Sequence, residues 1–149
     1  MTAQNLIEQR VELARQGQNK WVIAKFPSGW LVIGDVQPLL GYCVFLADPV
    51  VPSINDLDDA GRTTYSLDTL RAGDAILKAT GADRMNYETL GNSEPALHTH
   101  LIPRYGDEPP EKRRLPAFMV YSWTDAPAFD PSVHGALVQR IQSAINRAR

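Results

Sequence analysis

His98 and His100 are the residues whose type and spacing point most directly to chemistry. In an extended strand alternate side chains share a face, so Ala96, His98, His100 and Ile102 point one way and Leu97, Thr99 and Leu101 the other. Two imidazoles then stand roughly 6–7 Å apart at their backbones, each able to donate or accept near neutral pH. The loop before them, Gly91-Asn92-Ser93-Glu94-Pro95, is rich in small residues and can turn backbone N–H groups toward an anion. On the residues alone three readings stand open: two polar residues with no special role, a nucleophilic or acid–base pair, and a metal site. His-x-His on a strand is a common metal-ligand spacing. A structural zinc, however, takes about four protein ligands and a catalytic one about three. Glu94 and His134 are the other candidates, and neither has a diagnostic spacing, so no metal is expected.

The elements that must position this pair follow from the apolar pattern. A first helix over about 3–16 places Ile7, Val11 and Ala14 on one face and stops at Gly17. Trp21–Phe26 and Trp30–Ile33 read as a hairpin about Pro27-Ser28-Gly29. A loop, Asp35-Val36-Gln37-Pro38, leads to a strand at Gly41–Ala47. A helix is predicted over about 64–80, with Leu67, Leu70 and Leu77 on its buried side and Gly81 at its end. Arg84–Thr89 and Leu97–Ile102 are two further strands. Residues 106–114 are polar and proline-rich, hence an exposed excursion, and Phe118–Trp123 reads as an edge strand or extended arm. Asp130-Pro131 caps a last helix that buries Val133, Leu137, Ile141 and Ile145 and leaves His134 facing solvent. The inventory is α+β: an antiparallel sheet with segregated helices.

At 149 residues the chain suits a single domain, 1–149, with a core over about 20–104 and a C-terminal extension over 105–149. A net charge of −2 with interspersed signs gives no electrostatic footprint for duplex nucleic acid or an anionic membrane. The single cysteine, Cys43, lies in an apolar run and is expected to be a buried, inert thiol. No signal peptide and no membrane-length apolar run is visible, and a cytoplasmic location is expected. Trp21, Trp30, Tyr121 and Trp123 could stack on a base, although strand aromatics usually belong to the core.

The segment Gly91–Arg104 resembles the histidine-triad signature, His-φ-His-φ-His-φ-φ after a short Gly-Gln-Ser/Thr loop and trailed by Pro-Arg. Aligned on Pro103-Arg104, His98 takes the middle, nucleophilic position and His100 the last. Asn92 and Ser93 fall on the residues that approach the phosphate. Asp35 through Tyr42 resembles the acidic-x-x-Pro…Gly-His segment of the same proteins, so the similarity spans roughly 20–104. Asn86 through His98 is similar in wording to the bacterial group described as diadenosine-tetraphosphate-hydrolase-like. Three positions depart: Ala96 replaces the first histidine, Tyr42 an additional histidine, and Thr99 an apolar spacer.

The resemblance implies a histidine-triad-like fold and a nucleotide hydrolase or nucleotidyl transferase. It would act at the α-phosphate of a dinucleoside polyphosphate or nucleoside phosphoramidate, through a nucleotidyl-His98 intermediate. His100 would donate to phosphate or leaving group, Asn92 and Ser93 would cradle the phosphate, and Arg104 would contact it. Asp35 would accept from ribose hydroxyls, as acidic residues do in nucleotide sites. No cofactor is expected beyond magnesium accompanying the substrate, and a homodimer is expected, with the 64–80 helix or the neighbouring strand in the contact. The alternatives are a nucleotide-binding module without useful turnover and a His-x-His metalloprotein.

Overall fold

In the computed structural model the described residues are 4–149. Five strands form one sheet in the order β1-β2-β3-β5-β4, every neighbouring pair antiparallel. They are β1 (Val22–Phe26), β2 (Gly29–Ile33), β3 (Cys43–Ala47), β4 (Arg84–Glu88) and β5 (His98–Arg104). Period-2 alternation gives the sheet two buried faces. One carries Leu31, Ile33, Cys43, Phe45 and Leu101 against the two long helices, α2 (Asp59–Thr80) and α5 (Pro131–Ala148). The other carries Val32, Leu46, Ala96 and Ile102. It is covered in part by α1 (Leu6–Arg15) and in part by the segment holding two short helices, α3 (Pro110–Arg113) and α4 (Ala117–Val120).

α1 forms as its pattern requires. Asn5 and Glu8 make a reciprocal capping box, and Ile7, Val11 and Ala14 are buried; residue 3 of the expected span lies outside the described residues. α2 begins earlier than expected, because Asp58 accepts from the Gly61 N–H at 2.7 Å and caps the helix there. Its buried face also differs. Leu67 and Leu70 are about half exposed, while Tyr65, Thr69, Ala72 and Ile76 face the sheet. The small residues bring the helix close: a side-chain carbon on Gly73 would lie 2.0 Å from the Tyr87 hydroxyl.

Two corrections concern the C-terminal part. Phe118–Trp123 is no strand; after Pro116 the chain turns into α4, whose Ala117 packs in a cluster with Leu39, Tyr42 and Ile102. In α5 Val133 is 69% exposed and His134 is buried. His134 lies three residues before Leu137 and seven before Ile141, on the inward stripe, and its Nδ1 accepts from the Asp130 N–H at 2.9 Å. α5 adds Leu137, Ile141, Ala144 and Ile145 to the main core, so residues after 104 are integral to the packing. Cys43 is fully buried, and desolvation raises its thiol far above the ordinary range. No helix among the described residues is long and apolar enough to cross a membrane.

Candidate active site

β5 pairs with β3 so that His98 lies opposite Leu46 and His100 opposite Val44. Both imidazoles rise from the second face of the sheet into a cavity of about 600 Å³ between α1 and the α4 segment. The ring centroids are 5.1 Å apart at an interplanar angle of 74°. Thr99 points to the opposite face, where its hydroxyl joins Tyr65 and Thr89 at 2.7 Å each, which gives this polar spacer its partners under the sheet.

Hydrogen-bond partners fix the tautomers. His98 Nδ1 lies 2.7 Å from the Ala96 carbonyl oxygen, which can only accept. The proton is therefore on Nδ1, and in the neutral ring the Nε2 lone pair is free. His100 Nδ1 lies 2.7 Å from the Tyr42 hydroxyl. Burial, helped slightly by the His98 imidazole, pushes His100 from 6.5 down to about 4, so its ring is neutral near pH 7. Burial also drives the Tyr42 phenol strongly upward, so it keeps its proton. The Trp123 indole meets Tyr42 edge-on at 5.3 Å and is a donor only, so it gives the Tyr42 proton no competing acceptor. With the Tyr42 proton directed to Nδ1, His100 is assigned its own proton on Nε2. The two histidines are thereby assigned opposite tautomers, one with a free lone pair and one with a free N–H.

Tyr42 is placed by its loop. Gln37 donates to the carbonyls of Gly34 and Tyr42 and accepts from the Gly41 N–H, closing residues 34–42 into a rigid turn. Gly34 must lack a side chain because a carbon there would meet the Tyr42 ring at 2.3 Å. Asp35 sits on this turn at the cavity mouth, with its backbone carbonyl accepting from Phe129 N–H. Asn92 and Ser93 line the opposite rim, exposed, on the loop that turns at Gly91 with φ of 72°.

Arg104 is not part of this cavity. It is 4% exposed and its guanidinium donates to Glu108, Asn86 and the carbonyls of Lys112, Arg113 and Leu115. The expected phosphate contact is therefore corrected: every N–H of this side chain is already engaged, and it anchors the 105–121 segment to β5.

The sequence reading missed three contributors. Leu6, Ile7 and Arg10 of α1 form one wall, on a helix with no chemistry-bearing motif. Phe118 forms another, beside Trp123, which the sequence already offers as a stacking aromatic; Phe118 meets His100 at 5.1 Å and Trp123 at 4.2 Å. Tyr42 appeared only as a departure from a pattern. Ala96 occupies an apolar cluster with Ile7, Val11, Val32 and Leu46, so α1 fills the space a histidine there would need. Among the described residues, no group of three or more His, Cys, Asp or Glu side chains is placed to hold a metal ion.

No family model and no curated protein matches the chain at the level of sequence. Solved structures do match. A histidine triad protein from Bradyrhizobium japonicum is 22% identical, with 89% of this chain and 95% of that one covered at a TM-score of 0.71. A histidine triad protein from Sinorhizobium meliloti is 19% identical, covering 88% and 93% at 0.70. A hypothetical histidine triad nucleotide-binding protein from Sulfolobus tokodaii is 13% identical, covering 93% and 92% at 0.73.

Proposed function

We propose, from the histidine-triad fold that this chain shares with those structures, that it is a nucleotide hydrolase or nucleotidyl transferase acting at an α-phosphate through His98. The carrying observation is that His98 Nδ1 faces the Ala96 carbonyl and His100 Nδ1 faces the Tyr42 hydroxyl in one cavity, from which opposite tautomers are assigned. His98 Nε2 attacks phosphorus; the new P–N bond forms as the bond to the leaving group breaks, its electron pair going with the leaving group. Water then attacks phosphorus, the P–N electron pair returns to Nε2, and the proton lost by the water passes to solvent. His100 Nε2–H donates to the phosphate oxygen on which charge develops. Asn92 and Ser93 present the phosphate loop, and Asp35 accepts from the ribose. The site draws on residues from Leu6 to Trp123 and α5 joins the main core, which supports taking the described residues as one working domain.

A neutral His100 is a hydrogen-bond donor rather than a source of protons, which favours a leaving group that departs as an anion. A dinucleoside polyphosphate meets that demand. Arg10 is the one Lys or Arg among the described cavity-lining residues and it is paired with Asp35, so the phosphate chain must bring its own magnesium. The same scarcity of cations favours a second reading, a nucleoside phosphoramidate, whose single phosphoryl group needs less neutralisation. A panel of diadenosine tetraphosphate with and without magnesium and AMP phosphoramidate separates them by product chromatography. The first reading predicts magnesium-dependent release of AMP from the tetraphosphate as the faster reaction. Faster, magnesium-independent cleavage of the phosphoramidate establishes the second, and tight AMP binding with no turnover of either leaves a binding module.

We also propose a homodimer. Leu67 and Leu70 on α2, with Tyr87 on the open edge strand β4, expose apolar surface on neighbouring elements. Light scattering at micromolar concentration should give the mass of two chains, and the mass of one would refute it.

A further inference from the structure

Arg10 reaches from α1 across the mouth of the cavity to Asp35. Its Nη1 and Nη2 donate to the two carboxylate oxygens at 2.9 and 2.7 Å, a bidentate fork. The guanidinium lies 3.8 Å above the Trp21 ring and its side chain is 18% exposed, against 51% for Asp35. The Arg10 carbonyl is held by the Asn19 amide, and the first turn of α1 is held to the phosphate loop by Leu6 N–H donating to Glu94 at 3.1 Å. One helix therefore grips both rims of the cavity. A carboxylate has about four lone-pair positions, and the fork uses one on each oxygen. Two remain, at a separation and orientation set by the guanidinium, on a side chain that is half exposed.

We infer that Arg10 is a positioning residue that makes Asp35 a selective acceptor for the vicinal hydroxyls of a ribonucleotide. This rests on the nucleotide reading above and adds the device that sets sugar selectivity. Without the fork, a half-exposed aspartate samples several rotamers and loses the ordered pair of acceptors; with it, the ordering cost is met before the sugar arrives. Lysine is no equivalent, because its ammonium is a single point charge that leaves the carboxylate free to rotate. An ion pair this close to solvent contributes little to global stability, so its loss should be read in selectivity rather than in folding.

The test is calorimetric titration of the full chain with AMP and with 2′-deoxy-AMP. The wild-type protein should prefer AMP by about tenfold or more, the size of a lost hydrogen bond to a charged group. Arg10→Met keeps an apolar stem over Trp21 and removes the fork. It should cut that preference to near unity, mostly by weakening AMP, with the thermal midpoint little changed. Arg10→Lys should fall between. In an Asp35→Asn background Arg10→Met should change nothing further, since the two act as one unit. Unchanged preference in Arg10→Met, or tighter AMP binding, overturns the inference; tighter binding would mean that the fork blocks the site. A wild-type protein that binds AMP but shows no sugar preference overturns the role of Asp35 and this inference together, leaving the His98 chemistry standing. Failure to bind AMP at all overturns the nucleotide reading itself.

Discussion

His98→Ala should lose turnover by about four orders of magnitude or more, the scale on which removal of a covalent nucleophile acts, while fold and AMP affinity should persist. The physical reason is that no other group in the cavity can replace it. His100 has its Nδ1 lone pair engaged by Tyr42 and its proton on Nε2, so it presents no nucleophile. The fold tolerates the change because the imidazole's one protein partner is a carbonyl of its own strand entry, Ala96, at the floor of a cavity that water can enter. His100→Ala should cost less, on the order of a hundredfold, since it removes a donor aimed at developing charge. The pH dependence carries the same assignment. His100 is neutral until about pH 4, so its Nδ1 should keep accepting from Tyr42 well below the ordinary histidine range, while its Nε2–H donates in either protonation state. Stability moves differently: the unfolded chain takes up a proton at His100 below about 6.5 that the folded chain refuses until about 4. That residue's contribution is therefore full above 6.5 and is lost progressively as the pH falls toward 4.

Removing either member of the Arg104–Glu108 pair should destabilise the protein by about 3–5 kcal/mol, as expected when one buried charge loses its partner. Both side chains are nearly inaccessible, at 5% and 4%. Glu108 also accepts from the Tyr105 N–H and the Tyr121 hydroxyl. Burial alone would raise its carboxyl, but the hydrogen bonds from Arg104, Tyr121 and Tyr105 hold it below the usual glutamate range. The support it gives is thus present above that ordinary range and lost as the pH falls through the lowered value. The pair stitches residues 105–121 onto β5, and that stitch sets Phe118 against His100. Urea unfolding of Glu108→Ala and Arg104→Ala should show the loss in midpoint, and the AMP site should loosen with it. The double replacement Arg104→Met with Glu108→Leu should recover much of the stability, because it leaves no orphaned charge. Two single variants as stable as the wild type would refute the anchoring role.

How much of this was legible in the sequence depended on the range of the interaction. The shared face of His98 and His100 follows from strand alternation over three residues, and it is what the structure has. The turn at Asp35, the loop at Asn92 and Ser93, and the last helix behind its Asp130 cap were likewise legible, because each is decided by neighbours a few residues away. Leu67 and Leu70 are large and apolar yet lie outside the contact; the stripe through Tyr65, Thr69, Ala72 and Ile76 is the one the sheet receives. Val133 is likewise exposed and His134 buried. Arg104 looked available for phosphate because its partner carboxylate, although only four residues on, lay in a segment read as an exposed excursion. Arg10 with Asp35, and Tyr42 with His100, are 25 and 58 residues apart. No local pattern announces such pairs, and only the packing of α1 and the Gln37-locked turn brings them together.

The most direct test of the central claim is rapid-quench intact-mass analysis during a single turnover. With diadenosine tetraphosphate and magnesium, or with AMP phosphoramidate, a species heavier than the chain by one adenylyl group should rise and decay before product accumulates. Peptide mapping should place the added mass on His98, and His98→Ala should form none. Turnover by the wild-type protein with the label on any other residue, or by His98→Ala at a rate near the wild type's, would contradict the account.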